Sequence, residues 1–125
     1  MKKSFYFESV VVKGRGEGSK LDYPTVNLVH NKLDIDYGVY VCRVKTDEGD
    51  FHGALNYGIR PTFNLSEPAC EIFLLDFSGD LYDQKVRVTV YNKIREEMRF
   101  ASVEKLKEQI GRDVLSVRKF FKSNQ

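Results

Sequence analysis

The chain has 125 residues, a formal net charge of +2, 42% hydrophobic and 30% charged residues. That is the size and composition of one ordinary soluble domain, and no apolar run approaches the ~20 residues of a membrane-spanning helix. A charge of +2 is too small to argue for a polyanionic partner, although a pI near 8.5 leaves room for a basic patch.

The N-terminus, "MKKSFYFESVVV", opens with two lysines as a signal peptide does. Glu8 then interrupts the apolar stretch and no small-residue cleavage site follows, so the segment reads as a first strand and the protein as cytoplasmic. Strand-like runs rich in Val, Tyr, Phe and Thr follow in order: "FYFESVVVKG", "PTVNLV", "GVYVCRVKT", "DFHGALNYG", "CEIFLLDF" and "QKVRVTVYNKI". Turn signals such as "DEGD" and "SGD" separate them. Six short strands with no helix between them predict an antiparallel barrel or sandwich, with the barrel over about residues 5–95.

After Phe100 the period changes. Val103, Leu106, Ile110, Val114, Val117, Phe120 and Phe121 recur at helical spacing, which predicts a C-terminal helical segment over about 102–123. Ser102 is placed to cap it, with Glu104 in the first turn, and Gly111 or Asp113 marks where it can break in two. No repeat, low-complexity stretch or linker divides the chain, so residues 1–125 are expected to form a single domain. Cys42 and Cys70 are far apart and have no histidines at metal-ligand spacing, so they read as buried packing thiols.

Three places invite chemistry. "GRGEGSKLDY" has glycines at 14, 16 and 18 followed by Lys20. It is not a Walker A loop, because Ser19 separates Gly18 from Lys20 and a strand follows; it is not a Rossmann fingerprint, because no helix follows the glycines. Such glycines permit a concave run of backbone N–H groups that holds phosphate, with Lys20 adding a point charge; the competing reading is a flexible surface turn. In "PTVN", Thr25 and Asn27 lie two apart on a strand and share a face. Their neutral oxygens suit Mg²⁺ when substrate phosphates bring the negative charge, and the plainer reading is a solvated polar face. Glu71 interrupts the apolar "CEIFLLDF", with Cys70, Ile72 and Leu74 on one face and Glu71, Phe73, Leu75 and Phe77 on the other. It is either a solvated strand end or a carboxylate held to accept a proton from a reacting hydroxyl.

Together, "GRGEGSKLDYPTVNL", "NYGIRPTF", "EIFLLDFSGDLYDQKVRV" and "IREEMRFASVEKLKEQIGRDV", in this order and spacing, closely resemble the riboflavin kinase family over nearly the whole chain. The resemblance implies a six-stranded antiparallel Greek-key barrel with a C-terminal helix. It also implies transfer of the ATP γ-phosphate to the riboflavin 5′-hydroxyl, giving FMN and ADP with the help of Mg²⁺ or another divalent cation. By the same resemblance, Gly14, Gly16, Gly18 and Lys20 belong to the ATP loop, and Thr25 and Asn27 bind metal and nucleotide. Glu71 matches the catalytic base, and Arg95, Glu97 and Phe100 lie in the flavin-site stretch "LRxExxF", with Arg60 in the "RPTF" loop. Such chemistry is mostly positioning and charge stabilisation, so a glycine loop, a lysine, a metal and one proton acceptor form a sufficient set.

The chain departs from the family where Asp22 and Asp83 stand at customary glycines and where "PTVN" replaces "PTAN". Asp tolerates left-handed backbone, so the turns are expected to survive, while Asp22 brings negative charge near the phosphates. No adenylyltransferase motif is present, His30 being alone, so FAD synthesis is not expected. The expected partners are ATP and riboflavin, with no nucleic acid, membrane or obligatory protein partner. Two alternatives stand beside the kinase: a non-catalytic flavin-binding homologue, and a small β-barrel that binds single-stranded nucleic acid. Against the latter, the basic Arg43, Lys45, Lys85 and Arg87 alternate with acids along the chain.

Overall fold

The computed structural model describes residues 4–12, 23–29, 32–58 and 69–123. All six expected strands form: β1 (Phe5–Val12), β2 (Thr25–Leu28), β3 (Gly38–Thr46), β4 (Gly49–Gly58), β5 (Ala69–Leu74) and β6 (Lys85–Arg95). They close into an antiparallel barrel in the order β1-β2-β5-β4-β3-β6. Strands β3, β4 and β5 are successive neighbours and β6 returns beside β3, which is a Greek key. Closure is made by β1 against β6, from Phe5 opposite Val90 to Val10 opposite Lys85.

Alternation along each strand sends one set of side chains inward. Leu28, Val44, Leu55, Tyr57, Ile72, Leu74, Leu81, Val86, Val88 and Val90 fill the interior and are almost wholly buried. Burying an aliphatic side chain of this kind contributes roughly 1.5–3 kcal/mol, so the interior is a packed core with its space used by the protein itself. Cys42 and Cys70 are in this core as free thiols, and burial pushes the Cys70 thiol up to about 12.

The helix α1 (Val103–Ser123) runs without a break. Neither Gly111 nor Asp113 interrupts it: Gly111 has open space around it, and Asp113 is buried and tied by hydrogen bonds to a strand and to its own helix. Ser102 caps the start as expected, its hydroxyl accepting from the Lys105 N–H at 3.2 Å. The helix lays Ile110, Val114, Val117 and Phe121 on an apolar patch of the barrel's outer surface formed by Val39, Val41, Ala54, Phe73 and Leu75.

One local expectation is corrected. Strand β5 ends at Leu74, and Asp76 takes φ +57°, so the alternation stops there. Phe77 consequently packs against the interior cluster, edge-on to Phe51 at 4.8 Å between ring centres, on the opposite side from Glu71 and Phe73. At the other unusual turn, Asp83 adopts φ +69° and donates its N–H to Val11 O at 2.9 Å, so aspartate does serve where the family has glycine.

The far end of the helix is fastened by aromatic stacking. The His52 imidazole lies 3.5 Å above the Phe121 ring and nearly parallel to it, and the Arg43 guanidinium is 5.3 Å from the same ring. Partial burial, with Arg43 and Arg118 adding positive charge against the opposing Asp76 and Asp50, lowers the His52 pKa below its ordinary value near 6.5. A histidine depressed in the folded state binds its proton more readily when unfolded, so the stability it contributes is present above the unfolded value and lost as pH falls through the folded one. We expect the thermal midpoint to fall between pH 7.5 and pH 5, and to fall less in His52→Phe, which keeps the stack and removes the titration. Equal falls measured by circular dichroism would show that His52 does not contribute to the pH dependence.

Candidate active site

The outward side chains of four strands and of the β6 terminus meet in one lateral row. Asn27 on β2 is the direct neighbour of Glu71 on β5, Glu71 of Asn56 on β4, Asn56 of Val39 on β3, and Val39 of Arg95 at the end of β6. Directly opposed side chains have Cβ atoms about 4.5–5.5 Å apart, so Glu71 lies between two amide side chains. Thr25 opposes Phe73 on the same face, one diagonal step from Glu71.

The inward residues explain why this row points outward. Val26 and Leu28 are interior, leaving Thr25 and Asn27 half-buried on the outside; Leu55 and Tyr57 are interior, leaving Asn56 and Gly58 outside. Glu71 is only 8% exposed, so it is not a solvated strand end. It borders the patch under α1, since Phe73, the next outward residue of β5, belongs to that cluster.

Thr25 and Asn27 also line a cleft of about 270 Å³ with Val12, Pro24, Phe77, Gly79, Asp80, Leu81 and Tyr82. That is just below the usual range for ligand pockets, about 300–1,000 Å³. The Tyr82 N–H donates to Asp80 Oδ1 at 2.8 Å, which shapes the turn on the cleft's far side.

The other end of the row is built by the segment after β6. Arg95 donates through Nε and Nη2 to the two carboxylate oxygens of Asp113 on α1, each at 2.9 Å, and through Nη1 to Glu96 O at 3.1 Å. Its guanidinium carbon is 5.8 Å from the centre of the Phe100 ring. Glu97 is exposed as a whole, yet its carboxylate rests on Gly58, two residues along β4 from Asn56, where any Cβ would collide with it. Burial at that contact raises the Glu97 pKa, with the Arg95 charge pulling it down.

The structure thus brings Thr25, Asn27 and Glu71 together, and brings Arg95, Glu97 and Phe100 together at the far end of the same face. Gly14, Gly16, Gly18, Lys20, Asp22 and Arg60 lie outside the described residues. Two residues escaped the sequence reading. Asn56 opens the "NYGIRPTF" motif and becomes visible only through strand register; Asp113 stands as a carboxylate inside the apolar stripe of α1, a signal that was present but taken for a helix break. The basic residues read differently as well. Lys45 opposes Arg87, Arg43 opposes Thr89, and Lys85 and Arg87 both approach Glu8 at 3.5 Å, so cations dispersed in sequence converge on the outer face of β3, β6 and β1.

The barrel's interior is filled, and its outer wall carries a buried carboxylate among amide side chains beside an open cleft. The chain belongs to the riboflavin kinase family, Flavokinase, which matches residues 1–121. It is 38% identical over 115 residues to the bifunctional riboflavin kinase/FMN adenylyltransferase of Haemophilus influenzae, covering 90% of this chain and 37% of that one. It is 41% identical over 116 residues to the RNA-binding riboflavin kinase RibR of Bacillus subtilis, covering 89% and 49%. A crystal structure described as a macrolide-efflux protein from Streptococcus pneumoniae has the same fold, with a TM-score of 0.80, 30% identity and coverage of 90% and 38%. The chain therefore spans less than half the length of each of these relatives. Among the described residues no helix is long and apolar enough to cross a membrane.

The Glu97 contact can be tested directly. Gly58→Ala is expected to push the Glu97 carboxylate away into solvent, so that it titrates at lower pH than in the parent, back toward an ordinary glutamate. Carbon-13 NMR titration of the Glu97 carboxyl reads this, and an unchanged titration would show that it does not depend on the Gly58 contact.

Proposed function

We propose that this domain, residues 1–125, transfers the γ-phosphoryl group of ATP to the 5′-hydroxyl of riboflavin, forming FMN and ADP. The observation that carries the reading is the order of the outer row: Asn27, then Glu71, then Asn56, with Arg95 at the far end. The nucleotide occupies the Thr25 and Asn27 end with its adjoining cleft, the flavin occupies the end held by Arg95, Glu97 and Phe100, and Glu71 sits between them. The hydroxyl oxygen attacks the γ-phosphorus, the bond to ADP breaks, and the proton passes to the Glu71 carboxylate. Asn27 and Asn56 flank that carboxylate with amide groups able to fix its orientation.

The donor set suits a hard divalent cation. Thr25 and Asn27 offer neutral oxygens, and no group of three or more His, Cys, Asp or Glu that could hold a metal occurs among the described residues. Mg²⁺ would therefore be held by Thr25, Asn27 and the substrate phosphates, where it offsets phosphate charge when bound. Gly14, Gly16, Gly18 and Lys20 complete the phosphate side, and Arg60 the flavin side. Free thiols at Cys42 and Cys70 fit a reducing, cytoplasmic setting.

The convergence of Arg43, Lys45, Lys85 and Arg87 favours a second reading, in which that face binds single-stranded nucleic acid; the Bacillus subtilis relative is named as RNA-binding. Against it, Arg87 is engaged twice, stacked 4.7 Å from the Tyr6 ring centre and paired with Glu8. Incubation with riboflavin and MgATP, followed by chromatography, should yield FMN. Flavin binding without FMN would leave the non-catalytic homologue, and retention of labelled single-stranded RNA without flavin binding would leave the nucleic-acid reading.

Two variants test the residue roles. Glu71→Gln keeps size and reach but cannot take the proton, so kcat should fall about 10²–10⁴-fold with riboflavin binding little changed. A near-parental kcat would remove Glu71 from the chemistry. Thr25→Val keeps shape without the oxygen and should weaken MgADP binding in calorimetry by roughly tenfold, the worth of one hydrogen bond or ligand to a charged group. Parental affinity would remove Thr25 from the metal and nucleotide site.

A further inference from the structure

We propose that Asp113, supported by Gln109, is a positioning residue for the flavin side of the site: it acts from helix α1 through Arg95 to set where Glu97 and Phe100 stand. The inference rests on the riboflavin reading above and adds to it a role for the helix.

Asp113 is 3% exposed and falls between Ile110 and Val114 in the apolar stripe that packs on the barrel. A carboxylate there has no water to solvate it and must be fully paired. It receives three donors: Arg95 Nε and Nη2, each at 2.9 Å, and Gln109 Nε2 at 3.0 Å. The Arg95 contact is a parallel fork, which fixes the plane of the guanidinium as well as its place.

Holding the helix down does not require this arrangement. A well-packed apolar pair at the same position commonly stabilises as well or better, because it avoids the desolvation of two charges. What a fork adds is orientation. With two of its nitrogens committed to Asp113, Arg95 presents Nη1 to Glu96 O and its guanidinium to the Phe100 ring, so the segment 95–100 is pinned at its start and its end. Glu97, between those two points, is thereby held over Gly58 in the line of Asn56 and Glu71. Gln109 bonds Asp113 Oδ1, the oxygen that also takes Arg95 Nε, and so holds the carboxylate in the rotamer that meets the fork.

Asp113→Asn keeps the volume but replaces one acceptor by a donor facing the Arg95 fork. We expect riboflavin dissociation, read by flavin fluorescence, to rise about 10- to 100-fold, the scale of a displacement of about 1 Å in a site. KM for MgATP should stay within about twofold of the parent, since a shift of this size is confined to the flavin end. Val117→Ala, which opens space in the same helix stripe without touching the fork, is the control: it should lower the thermal midpoint and leave riboflavin binding unchanged. Gln109→Ala, which leaves the ion pair in place, should give a smaller loss in the same direction and serves if Asp113→Asn does not fold. Equal riboflavin affinity in Asp113→Asn or Gln109→Ala and the parent, or an equal loss in Val117→Ala, overturns the inference and leaves the kinase reading standing. A parent that binds no riboflavin overturns that reading and this inference together.

Discussion

Closure of the barrel by β1 against β6 is the constraint from which the rest follows. Once the six strands form a ring, there is no free edge, and every strand has one inward and one outward set of side chains. A ring this small fills its interior with its own aliphatic and aromatic residues, so nothing else can enter. The outer wall is where register aligns the polar side chains Asn27, Glu71 and Asn56. A slip of one residue in β5 would put Glu71 in the core and Ile72 outside, so the hydrophobic pattern that specifies the fold also specifies the position of the carboxylate.

The outer wall has its own problem, because Val39, Val41, Ala54, Phe73 and Leu75 make it apolar where a barrel should face water. The helix solves this by laying its stripe over them. Its fastenings differ along its length: toward the C-terminal end Phe121 stacks on His52 and Arg118 forks onto exposed Asp76 at 3.1 and 3.2 Å, and at the middle buried Asp113 takes the fork of Arg95. The stack needs only contact, and the forks demand a geometry. The buried fork of Arg95 on Asp113 stands beside the segment that carries Glu97 and Phe100.

How much of this the sequence shows depends on the distance over which the signal acts. Strand alternation and helical spacing are local, and all six strands and the C-terminal helix were legible from them, as was the polar face shared by Thr25 and Asn27. Glu71 stood out because its strand neighbours are apolar, but whether it was solvated depended on elements elsewhere in the chain. Asn56 gains its meaning only from being opposite Glu71, a pairing across 15 residues of sequence that no local pattern encodes. Asp113 was misread for the same reason: an acid in a helix looks like a weak point until the arginine that pairs with it, 18 residues away, is placed. Phe77 failed for a smaller cause, a single left-handed residue at Asp76 that ends the alternation. The cations dispersed in sequence differ in the opposite direction: Arg43 and Lys45 flank inward Val44, Lys85 and Arg87 flank inward Val86, and strand pairing then gathers the four on one outer face.

The charge distribution of the row completes the argument. Its middle carries a buried carboxylate in Glu71, and Glu97 adds another whose pKa is raised by burial; Arg95, the cation in the row, is already neutralised by Asp113. On the proposed reading, positive charge for the phosphates would come from Lys20 and from a divalent cation carried with them. Because the fork keeps Arg95 committed to Asp113, the guanidinium is not free to move toward the phosphates and serve that purpose itself. On that reading the fork holds the flavin end of the wall in a fixed geometry, and the charge that changes during phosphoryl transfer would be met at the other end.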